Sequence, residues 1–535
     1  MKVEQSLYGV IKETTKQFPN RNALLFMNKY LTYEQVISKI DALSSGFNDL
    51  NIKEGDVVTL AMPNVFEAIY AMYALNKIGV VCHMVHPISP IKQMKKFIKQ
   101  TKSKHLIVLD TFFTHYKVLL EDNIKLILAS PVNEFGLIKK IGYKLINFSK
   151  LSKIKYSNKV IRLNDLYSDK RDNEIVTDPK KTAFLLHSGG TSGEPKTIEL
   201  SNFAINSLAS QAPYIMGTND FEDMHMLAVL PMFHGFGLCM GIHGMIFTGG
   251  VNTLMPKFSS DETIKLIKKD RCNIIIGVPS LFESLLRNRL FKDESIKNIK
   301  QTYVGGDYVA IDLKHRFDDV MKYYYSDARL LEGYGLTEVV TVCSVNTLRD
   351  NNLESVGKPL PGVTIKIIDQ ETLAFLEDEK SGEIIVKGPT MMNGYLNDEE
   401  STDKTMINID GEKWIKTGDL GFIDKQGYVH FKQRLKRIIK VSGMPVLPSE
   451  IENLLMNYEQ ISEVAAIGIK DEFTNFKVKL FIVWKNKNDI LNESEIKKAI
   501  KENISIYAMP KEIAYLDNLP KTPIGKVDVL ELEKK

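Results

Sequence analysis

The alternation of short apolar runs with amphipathic stretches constrains this chain most. Residues 33–50 carry helical spacing, 57–61 form a short apolar run, 67–78 are helical again, and 80–82 and 106–109 are further runs. Strands separated by helices point to a parallel α/β sheet. The pattern returns at 274–278, through a helix ending near Leu286, to 301–304. At 535 residues, two or more domains are expected. Past residue 355 the texture changes. Short runs at 365–368 and 383–386 and a hairpin around Asp424-Lys425-Gln426-Gly427 read as a β-rich subdomain. The last hundred or so residues read as a compact α+β unit, with helices at 449–456 and 493–502 and strands at 464–467 and 479–484. The expected fold is therefore α/β: a large N-terminal domain of α/β sheets with a β-rich subdomain, residues 1–433, and a small α+β domain, residues 434–535.

Composition excludes several classes. A formal net charge of +4 gives no global argument for nucleic acid. Cys82, Cys239, Cys272 and Cys343 are far apart and form no CxxC pair, which argues against a zinc site or disulfide framework and fits a reducing, cytoplasmic setting. The first residues contain no apolar core of a signal peptide. Residues 224–256 lack Asp, Glu, Lys and Arg, which is long enough for a membrane span. Pro231, His234, His243, Asn252 and six glycines favour a buried strand–turn–helix instead.

The chemistry is concentrated in five motifs. Ser188-Gly189-Gly190-Thr191-Ser192-Gly193-Glu194-Pro195-Lys196 follows the apolar run Ala183-Phe184-Leu185-Leu186. Glycines let backbone N–H groups face an anion, while hydroxyls and a lysine add donors and charge, as nucleotide phosphates require. No Gly-Lys-Ser/Thr closes it, so it is not a Walker A loop. The others are Glu332-Gly333-Tyr334-Gly335-Leu336-Thr337-Glu338; Trp414-Ile415-Lys416-Thr417-Gly418-Asp419-Leu420-Gly421; Arg434-Leu435-Lys436 through Ser442-Gly443 to Pro448-Ser449-Glu450-Ile451-Glu452; and Pro520-Lys521-Thr522-Pro523-Ile524-Gly525-Lys526.

In this order and spacing the motifs resemble the adenylate-forming superfamily of acyl-CoA synthetases, luciferases and peptide-synthetase adenylation domains. The resemblance runs from Leu31-Thr32-Tyr33 through Gly55-Asp56 and Pro63-Asn64 to Lys526. It implies a two-step reaction of a small carboxylic acid with Mg-ATP and coenzyme A, through an acyl-adenylate. Ser188, Thr191, Ser192, Gly193 and Lys196 would hold the departing phosphates, and Thr337 would donate to a phosphate. Glu338 would be the magnesium ligand, Tyr334 the adenine platform, and Gly306 and Asp307 the adenine-side loop. Asp419 and Arg434 would take the ribose, and Lys526 the substrate carboxylate and α-phosphate. His234 would gate the acyl pocket. Lys436 would be the hinge of a mobile C-terminal domain, and Lys440 and Gly443 would line the coenzyme A path.

Read alone, these residues allow plainer roles. Glu338 fits a helix cap, Asp419 a turn, Lys526 a solvated turn lysine and His234 a core histidine. Three positions depart from the family. Gln433 and Arg437 stand where the hinge motif has glycine and an acid, and Val529 stands where an arginine often ends the last motif. Transfer to a carrier-protein phosphopantetheine is the alternative reaction, and a catalytically silent relative is the more distant one. The charge-free stretch 233–247 points to an apolar acyl or aryl tail. Residues 137–160 hold seven lysines and no acid. Leu137, Ile138, Ile141 and Leu145 fall at helical spacing there. Such a basic amphipathic helix either packs its stripe on the domain or makes peripheral membrane contact.

Overall fold

The computed structural model describes residues 2–168, 174–175, 177–188, 195–442, 444–471, 475–486, 488–521 and 527–535. Two large sheets carry the body. In the nine-stranded sheet the strands Asn22–Phe26, Val251–Leu254, His225–Ala228, Ile274–Gly277, Gln301–Val304 and Leu330–Tyr334 lie side by side and parallel. In the eight-stranded sheet the parallel set is Thr182–His187, Val81–Met84, Val57–Ala61, His105–Leu109, Lys125–Ala129 and Val160–Arg162. Thr197–Ser201 and Gly394–Tyr395 add antiparallel strands at the edge beside Thr182–His187. The parallel sheet expected from the alternation is present twice.

The apolar runs are continuous because both faces of these strands are covered. Ile274 and Ile276 join the main core, and Ile275 joins a second core on the other face. Ile107 likewise faces the main core, and Leu106 and Val108 face a third. The main core unites residues of both sheets around the helix Phe66–Lys77, all of whose residues are buried. The charge-free segment 224–256 resolves into the strand His225–Ala228, the π-helix Phe236–His243, the helix Gly244–Thr248 and the strand Val251–Leu254. Among the described residues no helix is long and apolar enough to cross a membrane.

The β-rich part is an antiparallel sheet of Thr364–Ile368, Gly382–Lys387, Glu412–Ile423, Met406–Ile409 and Val429–Arg434. The last part has its own sheet, built on Ile461–Asp471 and Asn475–Trp484, with the helices Pro448–Met456 and Glu493–Asn503. The buried members of its two cores begin at Ile439.

Candidate active site

Three of the candidate segments leave the C-terminal ends of parallel strands in one sheet. The His234 loop follows His225–Ala228, Gly305-Gly306-Asp307 follows Gln301–Val304, and Gly335-Leu336-Thr337-Glu338 follows Leu330–Tyr334. Ligands of open α/β sheets bind outside such strand ends. The phosphate-type loop leaves the end of Thr182–His187 in the other sheet.

Close backbone approaches lock these loops together. A Cβ on Gly235 would lie 1.8 Å from the Val340 carbonyl oxygen, and one on Gly335 would lie 1.5 Å from that of Thr341. Only glycine permits either contact. Val340 itself has φ +68°, a region that β-branched residues rarely adopt, so strain is stored two residues beyond Glu338. Gly306, at φ +82°, turns the chain so that Asp307 is exposed, with its Oδ1 accepting from the Tyr308 N–H at 2.9 Å.

The ribose-type group is assembled from three segments. The Tyr334 hydroxyl donates to Asp419 Oδ2 at 2.6 Å, and Arg434 Nε lies 3.0 Å from Asp419 Oδ1. Asp419 and Arg434 are cross-strand partners in the antiparallel sheet. Asp419 is 1% exposed, yet its Oδ1 accepts no hydrogen bond among the described residues, because the Arg434 contact is an ion pair without hydrogen-bond alignment. Burial pushes this carboxyl up, against the opposing pull of Arg434 and of the Tyr334 hydroxyl. Beneath it, Thr417 Oγ1 accepts from the Asp419 N–H at 3.1 Å, and Gly418, at φ +70°, donates its N–H to Glu383. Asp419 is therefore a buried acceptor held from below rather than a solvated turn residue. The Tyr334 ring sits 5.8 Å from that of Phe431.

Glu338 lies in a single short turn, Thr337–Val339, and caps no helix. Its Oε1 accepts from the Tyr395 hydroxyl at 2.8 Å, leaving a second carboxylate oxygen for a hard cation. The Tyr395 ring also carries Lys196, whose Nζ is 4.4 Å from the ring centroid. No group of three or more potential metal ligands occurs among the described residues. Tyr395 was missed in the sequence reading. It is an ordinary aromatic in an Asn-Gly-Tyr turn, and only its pairing with Ile198 brings it between Glu338 and Lys196.

At the mouth of the phosphate-type loop, Ser188 donates its N–H to the Lys196 carbonyl and Lys196 its N–H to Ser188 Oγ, both at 3.0 Å. Thr191, Ser192 and Gly193 lie outside the described residues, as do Gly443 and Lys526. One residue before Ser188, His187 meets His83 at 2.8 Å between their Nε2 atoms and stacks on Phe97. Burial, followed by the nearby His234 ring, pushes His187 down to about 3. The pair is neutral at ordinary pH, one ring donating and the other accepting. This anchor was also missed, because His83 and His187 are distant in sequence. His234 is half-buried against Phe233, whose ring centroid is 4.9 Å away. Much of the π-helix that follows, from Gly237 to His243, is buried.

The positions that depart from the family's hinge motif have structural partners. Gln433 Oε1 accepts from Ser449 Oγ at 3.1 Å, and Arg437 Nη2 donates to Glu452 and to the Ala466 carbonyl. Lys436 and Lys440 are exposed.

Comparison with known proteins identifies relatives over nearly the whole chain. A long-chain-fatty-acid–CoA ligase of Bacillus subtilis (strain 168) is 27% identical over 98% of this chain and 93% of its own. A 4-coumarate–CoA ligase of Petroselinum crispum is 29% identical over 94% and 89%. The crystal structure of a benzoate CoA ligase from Burkholderia xenovorans LB400 shares the fold, with a TM-score of 0.83 at 19% identity and 99% coverage of both chains. The family model for AMP-binding enzymes matches residues 11–396, and that for the AMP-binding enzyme C-terminal domain matches residues 450–526. The chain belongs to the AMP-binding enzyme family.

Proposed function

We propose that this chain is an ATP-dependent carboxylic acid:CoA ligase. In the first step an acid carboxylate oxygen attacks the α-phosphorus of ATP, the bond to the β-phosphate oxygen breaks, and pyrophosphate leaves. In the second the coenzyme A sulfur attacks the acyl carbon, and AMP leaves as the acyl–oxygen bond breaks. The observation that carries this reading is the buried Asp419 carboxylate, which accepts from Tyr334 through Oδ2 and faces Arg434 through Oδ1 in an ion pair without an aligned hydrogen bond. A carboxylate oxygen in that arrangement keeps acceptor capacity, which a ribose hydroxyl fills.

Asp419 and Arg434 then bind the ribose, while Tyr334 orients Asp419 and offers its ring to adenine. Gly306 and Asp307 border the base. Ser188, Thr191, Ser192, Gly193, Lys196 and Thr337 hold phosphate oxygens. Magnesium, when bound, neutralises phosphate charge, and Glu338 is the residue to hold it. Lys526 stabilises the charge that develops between the carboxylate and the α-phosphate. His234 and the neighbouring 233–247 segment border the acid, whose tail is apolar or aryl because that segment carries no charge. The boundary lies near Gln433, with Lys436 as pivot and Lys440 and Gly443 on the coenzyme A path. The four buried, free cysteines support a reducing, cytoplasmic setting.

The test is acid-dependent ATP–pyrophosphate exchange across fatty and aryl acids, followed by product analysis with coenzyme A. Absence of exchange with every acid would refute the reading. Exchange without acyl-CoA formation would redirect it to another thiol acceptor.

A further inference from the structure

The helix Leu137–Ile146 is amphipathic but mounted the wrong way round for a water-facing helix. None of its residues is buried. Leu137, Ile138, Leu145 and Ile146 are 73%, 88%, 70% and 84% exposed, and Phe148, just beyond, is exposed as well. At about 100° per residue, positions 137, 141, 145, 138 and 146 sweep roughly half of the helix circumference. The opposite side is the one that docks. Tyr143 donates its hydroxyl to Asp110, and Lys139 donates to the Met27 carbonyl at 2.7 Å with its Nζ over the Phe135 ring. The packed-stripe role considered for this segment is thus not what the structure has: polar anchors face the body and the apolar arc faces out.

The charge pattern identifies what covers that arc. Lys140 and Lys144 fall along one border of it on the same helical projection, and exposed Lys150, Lys153 and Lys155 follow. Residues 137–160 contain no carboxylate. The preceding acid, Glu134, is engaged by Lys29 and Lys39. A second copy of the chain seated on this face would set lysine against lysine. An anionic bilayer accepts both components, taking the apolar side chains at the headgroup–acyl boundary while the lysines reach phosphate. We infer that the helix Leu137–Ile146 and the lysines that follow it form a docking surface for anionic lipid bilayers.

The full chain is to be sedimented, without ATP or acid, with vesicles of phosphatidylcholine plus phosphatidylglycerol and with phosphatidylcholine alone. The expected result is binding to the anionic vesicles at low salt, weakened by high salt. Lys144→Glu with Lys150→Glu should lower the partition coefficient by at least about 25-fold, roughly fivefold for each lysine removed. Ile138→Glu with Ile146→Glu should abolish binding. These side chains are exposed, and circular dichroism and the unfolding midpoint should be unchanged in both variants. Binding that persists in both variants would overturn the inference. So would a wild-type chain that ignores anionic vesicles at low salt, including one whose self-association is lost in the isoleucine variant. Because no substrate is present, the outcome is independent of the ligase reading.

Discussion

The body and the C-terminal part hold their functional residues in opposite ways. In the body, Asp419 is buried, braced by Thr417 and Tyr334, and the loops around Glu338 are locked by glycine contacts that admit no side chain. At the junction with the C-terminal part, Lys436 and Lys440 are exposed on a short turn and strand, and Gln433 and Arg437 make polar and ionic contacts to Ser449, Glu452 and Ala466. Packed cores resist continuous deformation, whereas the exposed Lys436 and Lys440 exchange their surroundings with water at little net cost, beside a Gln433–Ser449 contact that is itself buried. The difference suits a body that grips the nucleotide through both half-reactions and a C-terminal part that serves them in turn.

The largest expected effect breaks the comparison if it fails. Lys526→Ala should lower acyl-adenylate formation by about 10²–10³-fold, the size of one electrostatic donor. Thioester formation from preformed acyl-adenylate should stay near wild type. Single-turnover assays of each half-reaction measure this, and equal losses in a folded variant would refute alternation.

Tyr334→Phe should give the contrasting signature. It removes the hydroxyl that donates to buried Asp419, a charge-assisted bond worth about 1.5–3 kcal/mol. That corresponds to roughly tenfold to 150-fold in kcat/KM for ATP. Because the body keeps its hold on the nucleotide, use of preformed acyl-adenylate should weaken too. An effect confined to one half-reaction would show that this grip is not shared.

A third prediction concerns stability of the body. Glu67 is buried with no side-chain donor to its carboxylate among the described residues, only its own backbone N–H nearby, and burial pushes its carboxyl from 4.5 up to about 8. The folded state then binds the proton more tightly than the unfolded state. The contribution is complete below pH 4.5 and is lost as pH rises toward 8, at up to about 1.4 kcal/mol per pH unit within that window. Glu67→Gln should flatten this slope. Denaturant unfolding followed from pH 5 to 9 should show the change in the transition of the body and not in that of the C-terminal part.

The smallest effect sharpens the picture at Glu338. Tyr395→Phe keeps the ring beneath Lys196 but removes the donor to Glu338, whose carboxylate is only half-buried, so that water partly replaces the bond and the net loss is about 0.5–1.5 kcal/mol. Pyrophosphate exchange should fall by only about two- to tenfold, with a raised magnesium requirement. Unchanged magnesium dependence would separate Tyr395 from metal binding.

The sequence by itself determined the parallel α/β architecture, since period and turn residues are local and the strands 57–61, 182–187 and 301–304 need only their own side chains to be recognised. It also determined the order of the motifs, because glycine, hydroxyl and charge at fixed spacing are local chemistry. The tertiary structure alone decided which of those residues meet. Apart from the family resemblance, Asp419 reads as a turn until the sheet sets it opposite Arg434 and beneath Tyr334, 85 residues earlier. Tyr395 carries no signal until its strand pairs with Thr197–Ser201. The helices Phe66–Lys77 and Leu137–Ile146 make the same point from packing: one is buried throughout and the other not at all. Periodicity says that a helix forms. Whether its apolar residues are covered depends on what the rest of the chain places against them.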